Sequence, residues 1–413
     1  MSAIDTVQNT AIDLPAVGAL PDATSLGDTT TGHVPYRRAV GVLVAATYLL
    51  MPAVYATQPI LPVLSHDFHI DASTTGLTLA VFNIALAFSL LIAGPLSDRI
   101  GRRPIILTVS VLLVIPTFLA ALTPSFGLLL AARAGQGILS SGIAAVAVAY
   151  LGDELPARMR GGSIGWYTTA LSGSALVGRV GGGLFADAFG WRAMFVALGC
   201  LSIIGAGMLV LWLPPAQNFR PSPHFGVAFA NMAHTLRSRV LVCGYAIGFL
   251  LGVVLLGFFT YASYYLTEPP FNLSTAALGL IFLAYVFGML APVAGSISTR
   301  IGRRPVIAIC LGIMAVGITL TRVPVLPLVI LGIVLLALSI ISAYGVANAF
   351  VGDHAAGLRG GATGLYLCGW YSGGAVGAAA MGPVWTHFGW SGVTLGCLVV
   401  IALTYGIIAL SRD

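Results

Sequence analysis

Lysine is absent from this 413-residue chain, and charge of either sign is scarce. Charged residues make up 8% of the sequence and hydrophobic residues 58%, whereas a soluble domain carries about 25% charged residues because its surface has to be solvated. The shortage excludes an ordinary water-facing surface and makes lipid the solvent for most of this one. It also excludes a nucleic-acid partner, because the arginines are strung out between apolar runs and not gathered on one face. The five cysteines (Cys200, Cys243, Cys310, Cys368, Cys397) show no CxxC spacing, so neither a disulfide framework nor a metal site is expected. They read as small buried apolar side chains. No HExxH pattern occurs, and without lysine there is no Walker sequence, which speaks against an enzyme and against direct ATP driving. No cofactor is implied.

What the sequence does contain is length without polarity. Apolar runs of about 20 residues, enough for a helix to cross a hydrocarbon core of roughly 30 Å, recur from Arg38 onward. They predict twelve spans, near 38–63, 73–97, 104–123, 126–152, 161–187 and 191–213, then 239–266, 274–299, 304–321, 325–351, 360–386 and 391–411. The segment 214–238, with its Pro, Asn, Ser and basic residues, separates two halves and reads as a linker. Residues 1–36 are polar and hold four Asp (Asp5, Asp13, Asp22, Asp28). They lack the basic start and apolar core of a signal peptide and are expected to form a disordered cytoplasmic tail.

Arginine placement sets the orientation, since cytoplasmic loops retain basic residues. With the N-terminus inside, the inner segments hold Arg37, Arg38, Arg99, Arg102, Arg103, Arg158, Arg160, Arg220, Arg237, Arg239, Arg300, Arg303, Arg304, Arg359 and Arg412. The outer segments hold only Arg192 and Arg322. Both termini are therefore expected to be cytoplasmic.

The halves repeat. GPLSDRIGRRPIIL (94–107) returns as GSISTRIGRRPVIA (295–308), YLGDELPARMRGGSIG (150–165) as FVGDHAAGLRGGATG (350–364), and FGWRAMF (189–195) as FGWSGVT (388–394), at offsets of 199 to 201. Three matches in one order mark a duplication. The fold expected is an all-α integral membrane protein of twelve transmembrane helices in two pseudo-symmetric six-helix bundles, 37–213 and 239–413. A site between such bundles at the membrane midplane is a transporter architecture.

In the first copy of the loop, Asp98 stands where Arg99, Arg102 and Arg103 can pair with it, and Gly94 and Gly101 permit close packing and a tight turn. Such a cluster at the seam between bundles can lock one orientation, or it can do no more than fix topology. In the second copy, Gly302, Arg300, Arg303 and Arg304 are kept but Thr299 replaces the acid, so any lock is asymmetric. This loop resembles G-x-L-x-D-R-x-G-R-R, the signature of the major facilitator superfamily, and the likeness covers the whole chain after the tail. YATQPILPVLSHDFHI (55–70), RAGQG (133–137) and the FRP at 219–221 are most similar to the YnfM-type members of its twelve-helix drug:proton antiporter branch.

Arg133 lies within a span, about 10 Å below the outer boundary at 1.5 Å per residue, and an arginine at that depth faces a cavity or a partner or else snorkels outward. By the resemblance, Arg133 and Gln136 are linked to proton or substrate coupling, and Gly137 is a packing residue. Span five of drug antiporters shows G-x8-G-x3-GP-x2-GG. Here Gly165, Gly178, Gly182 and Gly183 survive, Ser174 replaces one Gly, and Arg179 stands where Pro is usual. The glycine face is expected to pack against the opposite half. No span carries a carboxylate or a His near its middle. Arg133 and Arg179 then give the cavity a positive potential that favours anionic or neutral polar substrates, unless Arg179 pairs with Asp187. Further candidates are Tyr48, Tyr55 and Gln58 on span one, Asn83 on span two, Tyr261 and Tyr264 on span seven, Tyr344 and Asn348 on span ten, and Tyr366, Trp370 and Tyr371 on span eleven. Each aromatic could equally be an interface anchor or packing.

The function expected is secondary transport: proton-coupled efflux of a small amphipathic neutral or anionic compound (a drug, sugar or metabolite) by a monomer in the bacterial inner membrane, with lipids around it. The alternative is uptake or facilitated diffusion of an organic anion or sugar.

Overall fold

The computed structural model of the chain describes residues 33–218, 225–355 and 357–410. The tail predicted over 1–36 lies outside them except for residues 33–36, which open the first helix. Arg220 and Arg412 lie outside them as well. Among the described residues there is no strand.

Ten of the described helices are long and apolar enough to cross a membrane. Two particulars connect that number with twelve spans. Arg359–Leu410 is two helices merged across Gly389, whose φ of 57° and ψ of −152° turn the chain between spans eleven and twelve. Span five, Ala157–Phe189, is long enough at 33 residues, but its arginines, glycines and hydroxyls keep it out of the ten. The regular spans are Ala72–Ile100 (two), Arg102–Leu122 (three), Trp191–Trp212 (six), Arg239–Thr267 (seven), Arg303–Leu320 (nine) and Leu326–His354 (ten). The linker holds a helix, Phe225–Thr235, whose Met232 lies against Gly361 and Gly364.

Three spans are irregular. Span one is helical over His33–Leu50 and Pro52–Tyr55, opens into turns at 56–60, and ends in a short helix Leu61–Phe68. Pro52 and Pro59 bracket the break, each lacking an amide hydrogen and so unable to extend the ladder behind it. Span four runs Phe126–Ser141, passes through a π segment Gly142–Val146, and resumes over Ala147–Glu154. Span eight begins as Thr275–Ile281, tightens to a 3-10 helix over Phe282–Leu290, and continues as Ala291–Ile301.

At the arginine-rich face, the two copies of the loop turn alike. Gly101 (φ 112°) and Gly302 (φ 94°) take conformations that L-residues rarely adopt, as the tight-turn reading requires. Gly94, by contrast, faces open space; its carbonyl accepts from Ser97 Oγ at 2.7 Å, so it is not a close-packing position.

The two halves meet at the arginine-poor face. Tyr261 Oη donates to Ala378 O at 2.7 Å while lying against Gly76. Tyr264 Oη donates to Leu61 O at 3.2 Å, and Ser263 Oγ donates to Gln58 O at 3.4 Å. Where Gly183 of span five crosses Gly279 of span eight, a Cβ on Gly183 would stand 2.7 Å from Gly279 Cα. Small residues let these backbones touch, and the contact closes the seam at that end.

Candidate substrate site

The break in span one creates the site's chemistry. In an unbroken helix Gln58 N would donate to Val54 O; here it donates to Tyr55 O at 3.4 Å. Val54 O receives Arg133 Nη2 instead, at 2.9 Å. Arg133 is fully buried, its Nη1 donates to Gln136 Oε1, and its guanidinium lies over the Phe82 ring at 4.6 Å. Gln136 in turn donates to Thr117 Oγ1 at 3.2 Å, and Gly137 sits where a Cβ would be 2.4 Å from Phe82 O. Arg133 and Gln136 therefore brace spans one, two, three and four within one half. They neither snorkel nor belong to the cluster at the seam.

Arg179 is at the seam. Its Nε donates to Gln58 Oε1 at 2.7 Å and its Nη1 to Ala175 O at 3.2 Å. The guanidinium carbon lies over Tyr55 at 4.8 Å, Tyr285 at 4.9 Å and Phe282 at 5.6 Å. Tyr55 and Gln58 belong to the broken part of span one, and Phe282 and Tyr285 to the 3-10 part of span eight, so both walls of the cage come from irregular backbone. Non-helical backbone at membrane depth is tolerated where it lines a cavity or is buried in protein. Among the described residues Arg179 has no ion pair, and Asp187 is not its partner. Gln58 Nε2 and Tyr285 Oη are buried and make no hydrogen bond.

Tyr371 of span eleven adjoins Tyr55, and Tyr344 packs on Trp370 at 4.4 Å, with Tyr366 Oη donating to Tyr344 O at 2.9 Å. Asn348 Oδ1 is buried and unpartnered. Tyr48, two turns before Tyr55 on the same helix face, is 38% exposed and rests on Gly173. Of the sequence candidates, the fold thus brings together Tyr55, Gln58 and Arg179, with Tyr344, Trp370 and Tyr371 beside them. Asn83 is elsewhere: it donates to its own Leu79 O at 2.8 Å, close to Gly374. Tyr261 and Tyr264 stack with each other and with Trp385 as a plug at the arginine-poor face. Beyond the plug, a recess of about 570 Å³ is lined by Asp71, Tyr265, Glu268, Trp385 and Trp390.

Phe282 and Tyr285 are absent from the sequence candidates, none of which lies on span eight. Pro292 and Gly288 beside them were the available sign of an irregular span eight.

The span-five glycines divide. Gly178 and Gly182 pack on Pro52 and Ala56 of span one in their own half, Gly183 alone meets the opposite half, and Gly165 faces open space. The helix itself continues through Arg179. Gly161 to Gly165 spells G-x-S-x-G, but Ser163 lies inside this helix and not on the strand-to-helix elbow that exposes a hydrolase nucleophile.

Among the described residues, the contacts of Arg102, Arg103 and Arg303 stay within their halves. Arg102 pairs with Asp98 and with Asp153 (3.1 Å) and donates to Ser97 Oγ. Arg303 pairs with Asp353 at 2.8 Å and donates to Ser298 Oγ at 3.1 Å, while Thr299 donates to its own Ser296 O. Arg103 Nε donates to Leu213 O at 3.0 Å, Arg304 lies over Phe350, and Arg99 and Arg300 are exposed. Among the described residues the expected seam-crossing lock is not made by these side chains: Arg102 ties spans two and three to the end of span four, and Arg303 ties spans eight and nine to the end of span ten.

Residues 43–287 and 269–413 match the Major Facilitator Superfamily. The chain is 35% identical over 379 residues to the inner membrane transport protein YnfM of Escherichia coli, covering 91% of each. It is 30% identical over 368 residues to the uncharacterized MFS-type transporter YybF of Bacillus subtilis, covering 88% of this chain and 90% of that one. Its fold is similar to the crystal structure of a bacterial homolog of the human lysosomal transporter Spinster in an inward-facing, occupied conformation, with a TM-score of 0.73 at 16% identity over 91% of this chain and 97% of that one. With its duplicated loop, its twelve spans and matches along nearly its whole length, the chain belongs to the Major Facilitator Superfamily, and it is a multi-pass membrane protein.

Proposed function

We propose that the chain is a secondary carrier that exports a small amphipathic compound, neutral or anionic, by alternating access. The observation that carries this reading is Arg179, held at the seam by Gln58 and three aromatic rings from both halves, with no ion pair to a carboxylate among the described residues. Rocking of 37–213 against 239–413 opens and closes the seam around that cluster. With both termini in the cytoplasm of a bacterial cell and the chain in the inner membrane, the face closed by Tyr261, Tyr264 and Gly183 is the outer one, and this conformation is inward-facing. The monomer suffices, since both walls of the cluster come from one chain. Arg133 and Gln136 support the site by holding the break in span one, and the loop clusters support the rigidity of each half.

A protonophore is expected to raise accumulation of the exported compound in cells expressing the protein, as proton exchange requires. Unchanged accumulation would count against proton-driven export. The second reading, uptake or facilitated diffusion of an organic anion or sugar, is favoured by one observation: no Asp, Glu or His stands among the described residues of the cluster to carry the exchanged proton. Counterflow in proteoliposomes without a pH gradient separates the two, because a uniporter needs none.

A further inference from the structure

We infer that the Arg179 cage binds the anionic head of a planar aromatic substrate, a carboxylate in the first instance, and that a neutral or cationic analogue of the same shape is rejected. The inference rests on the carrier reading above and narrows its substrate class.

The argument begins with Gln58. A guanidinium has donors only, so the amide oxygen must face Arg179, and the assignment of Gln58 Oε1 to Arg179 Nε at 2.7 Å is forced by chemistry. The amide nitrogen is then left over. Gln58 is 2% exposed, and its Nε2 has no partner. Arg179 Nη2 likewise makes no hydrogen bond among the described residues, for only Nε and Nη1 are engaged. The Tyr285 hydroxyl, on the ring that stacks over the same guanidinium, is a third unpartnered polar group. Buried donors in folded proteins are nearly always satisfied. Here the Gln58 amide nitrogen and Arg179 Nη2 stand beside a positive charge with no acceptor of their own among the described residues. The group that completes them accepts several hydrogen bonds and carries negative charge, as a carboxylate does when it takes two parallel N–H bonds.

A cationic head is excluded by the guanidinium itself. A neutral amide meets the donors with a single oxygen and leaves the buried charge uncompensated, which low-dielectric surroundings penalise. The body of the ligand is set by the walls. Tyr55, Phe282 and Tyr285 surround the charge, and Tyr344 and Trp370 pack together beside them, so a ligand that reaches the guanidinium meets aromatic side chains, which suits a flat aromatic body. Tyr55, Gln58 and Arg179 belong to one half, and Phe282 and Tyr285 to the other. Arg179 O also lies 3.2 Å from where a Cβ would stand on Gly279, beside the contact that closes the seam. A ligand held by both walls therefore favours the closed arrangement at that face.

The test uses purified full-length protein with 2-naphthoate as probe, and 2-naphthamide and 2-naphthylmethylammonium as neutral and cationic isosteres, followed by calorimetry and thermal shift at pH 7. Naphthoate is expected to bind at least tenfold more tightly than either isostere. Arg179→Gln is expected to remove that preference. Tyr285→Phe, which keeps the ring and deletes only the hydroxyl, is expected to weaken naphthoate several-fold while leaving naphthamide unchanged, and it retains the packing that Arg179→Gln disturbs. Equal binding of naphthamide, or naphthoate affinity undiminished in both variants, overturns the inference. Counterflow of radiolabelled naphthoate in proteoliposomes keeps the two readings apart. Charge-selective binding without counterflow upholds the site and removes the carrier reading, whereas transport of another compound with no preference for naphthoate overturns only the substrate class.

Discussion

Arg133 donates to Val54 O because span one breaks at Pro52 and Pro59 and abandons that carbonyl, and it reaches Gln136 on its own helix at the same time. An arginine in the membrane interior is usually read as a coupling residue, but every contact here ends on neutral groups inside one half. Arg133→Met is expected to leave Val54 O and Gln136 short of a donor, at about 1–3 kcal/mol for each buried unsatisfied group. The melting temperature should fall, and the ratio of affinities for anionic and neutral ligands should stay as in the wild type. A variant that melts like the wild type but no longer transports would return Arg133 to the transport machinery. Asp67 offers a pH-dependent counterpart at the other face. The hydrogen bond from Arg192 holds its carboxyl below the usual value, slight burial opposes, and Trp191 Nε1 adds a bond of 3.1 Å. A depressed folded-state value means that the pair stabilises the fold above the unfolded-state carboxylate range and ceases to as pH falls through the folded value. The melting temperature of Asp67→Asn should thus lie modestly below the wild type at pH 7, with the gap closing as both are acidified below about pH 4.

Between elements, the duplicated loop can be tested against its own asymmetry. Arg102 has two acids, Asp98 and Asp153, while Arg303 has Asp353 and the Ser298 hydroxyl. Losing one acid should therefore matter less in the first copy. Exposed pairs contribute up to about 1 kcal/mol each, so the measurable quantity is a difference: Asp353→Asn should lower the melting temperature more than Asp153→Asn, and Thr299→Asp should recover part of the loss. Equal shifts would show that the second acid on Arg102 adds nothing. The spans, the duplication and the loop turns were legible in the sequence, because lipid forces long apolar runs and Gly101 and Gly302 sit at matching places. Arg179 and Gln58 were legible too, as polar groups with no reason to be in a span. The cage around them was not. Phe282 and Tyr285 are ordinary apolar-span residues until the 3-10 segment turns them toward Arg179, and helix tightening leaves little trace in composition. The same limit explains why Tyr261 and Tyr264 read as cavity residues: which side of a plug a tyrosine occupies depends on the packing of spans two, seven and eleven.

For the molecule as a whole, closure at one face rests on two helix crossings between halves, span five on span eight and span two on span eleven, and Gly183 against Gly279 is the closest approach of the first. A valine at Gly183 would place its Cβ 2.7 Å from Gly279 Cα and 2.8 Å from Thr275 O, and neither backbone can yield without parting spans five and eight. The other contacts between halves at this face are the single hydrogen bonds from Ser263 to Gln58 O and from Tyr264 to Leu61 O, and the crossing of spans two and eleven, where Gly382 faces Ser73 and Gly76 faces Ala378 O. Gly183→Val should therefore shift the carrier toward the arrangement in which the arginine-poor face is open, without unfolding either half, because the three atoms nearest to a Cβ at this position all belong to the opposite half. Reporter cysteines at Ser263 (2% exposed, in the closed seam) and at Tyr48 (38% exposed, toward the arginine-rich face) read the change when the native cysteines are replaced. With glycine at 183, a water-soluble thiol reagent should modify the cysteine at 48 and spare the one at 263. With valine the order should reverse. If the cysteine at 263 stays protected in Gly183→Val while the protein remains folded, the halves are held together by something other than this crossing, and alternating access would have to pivot elsewhere.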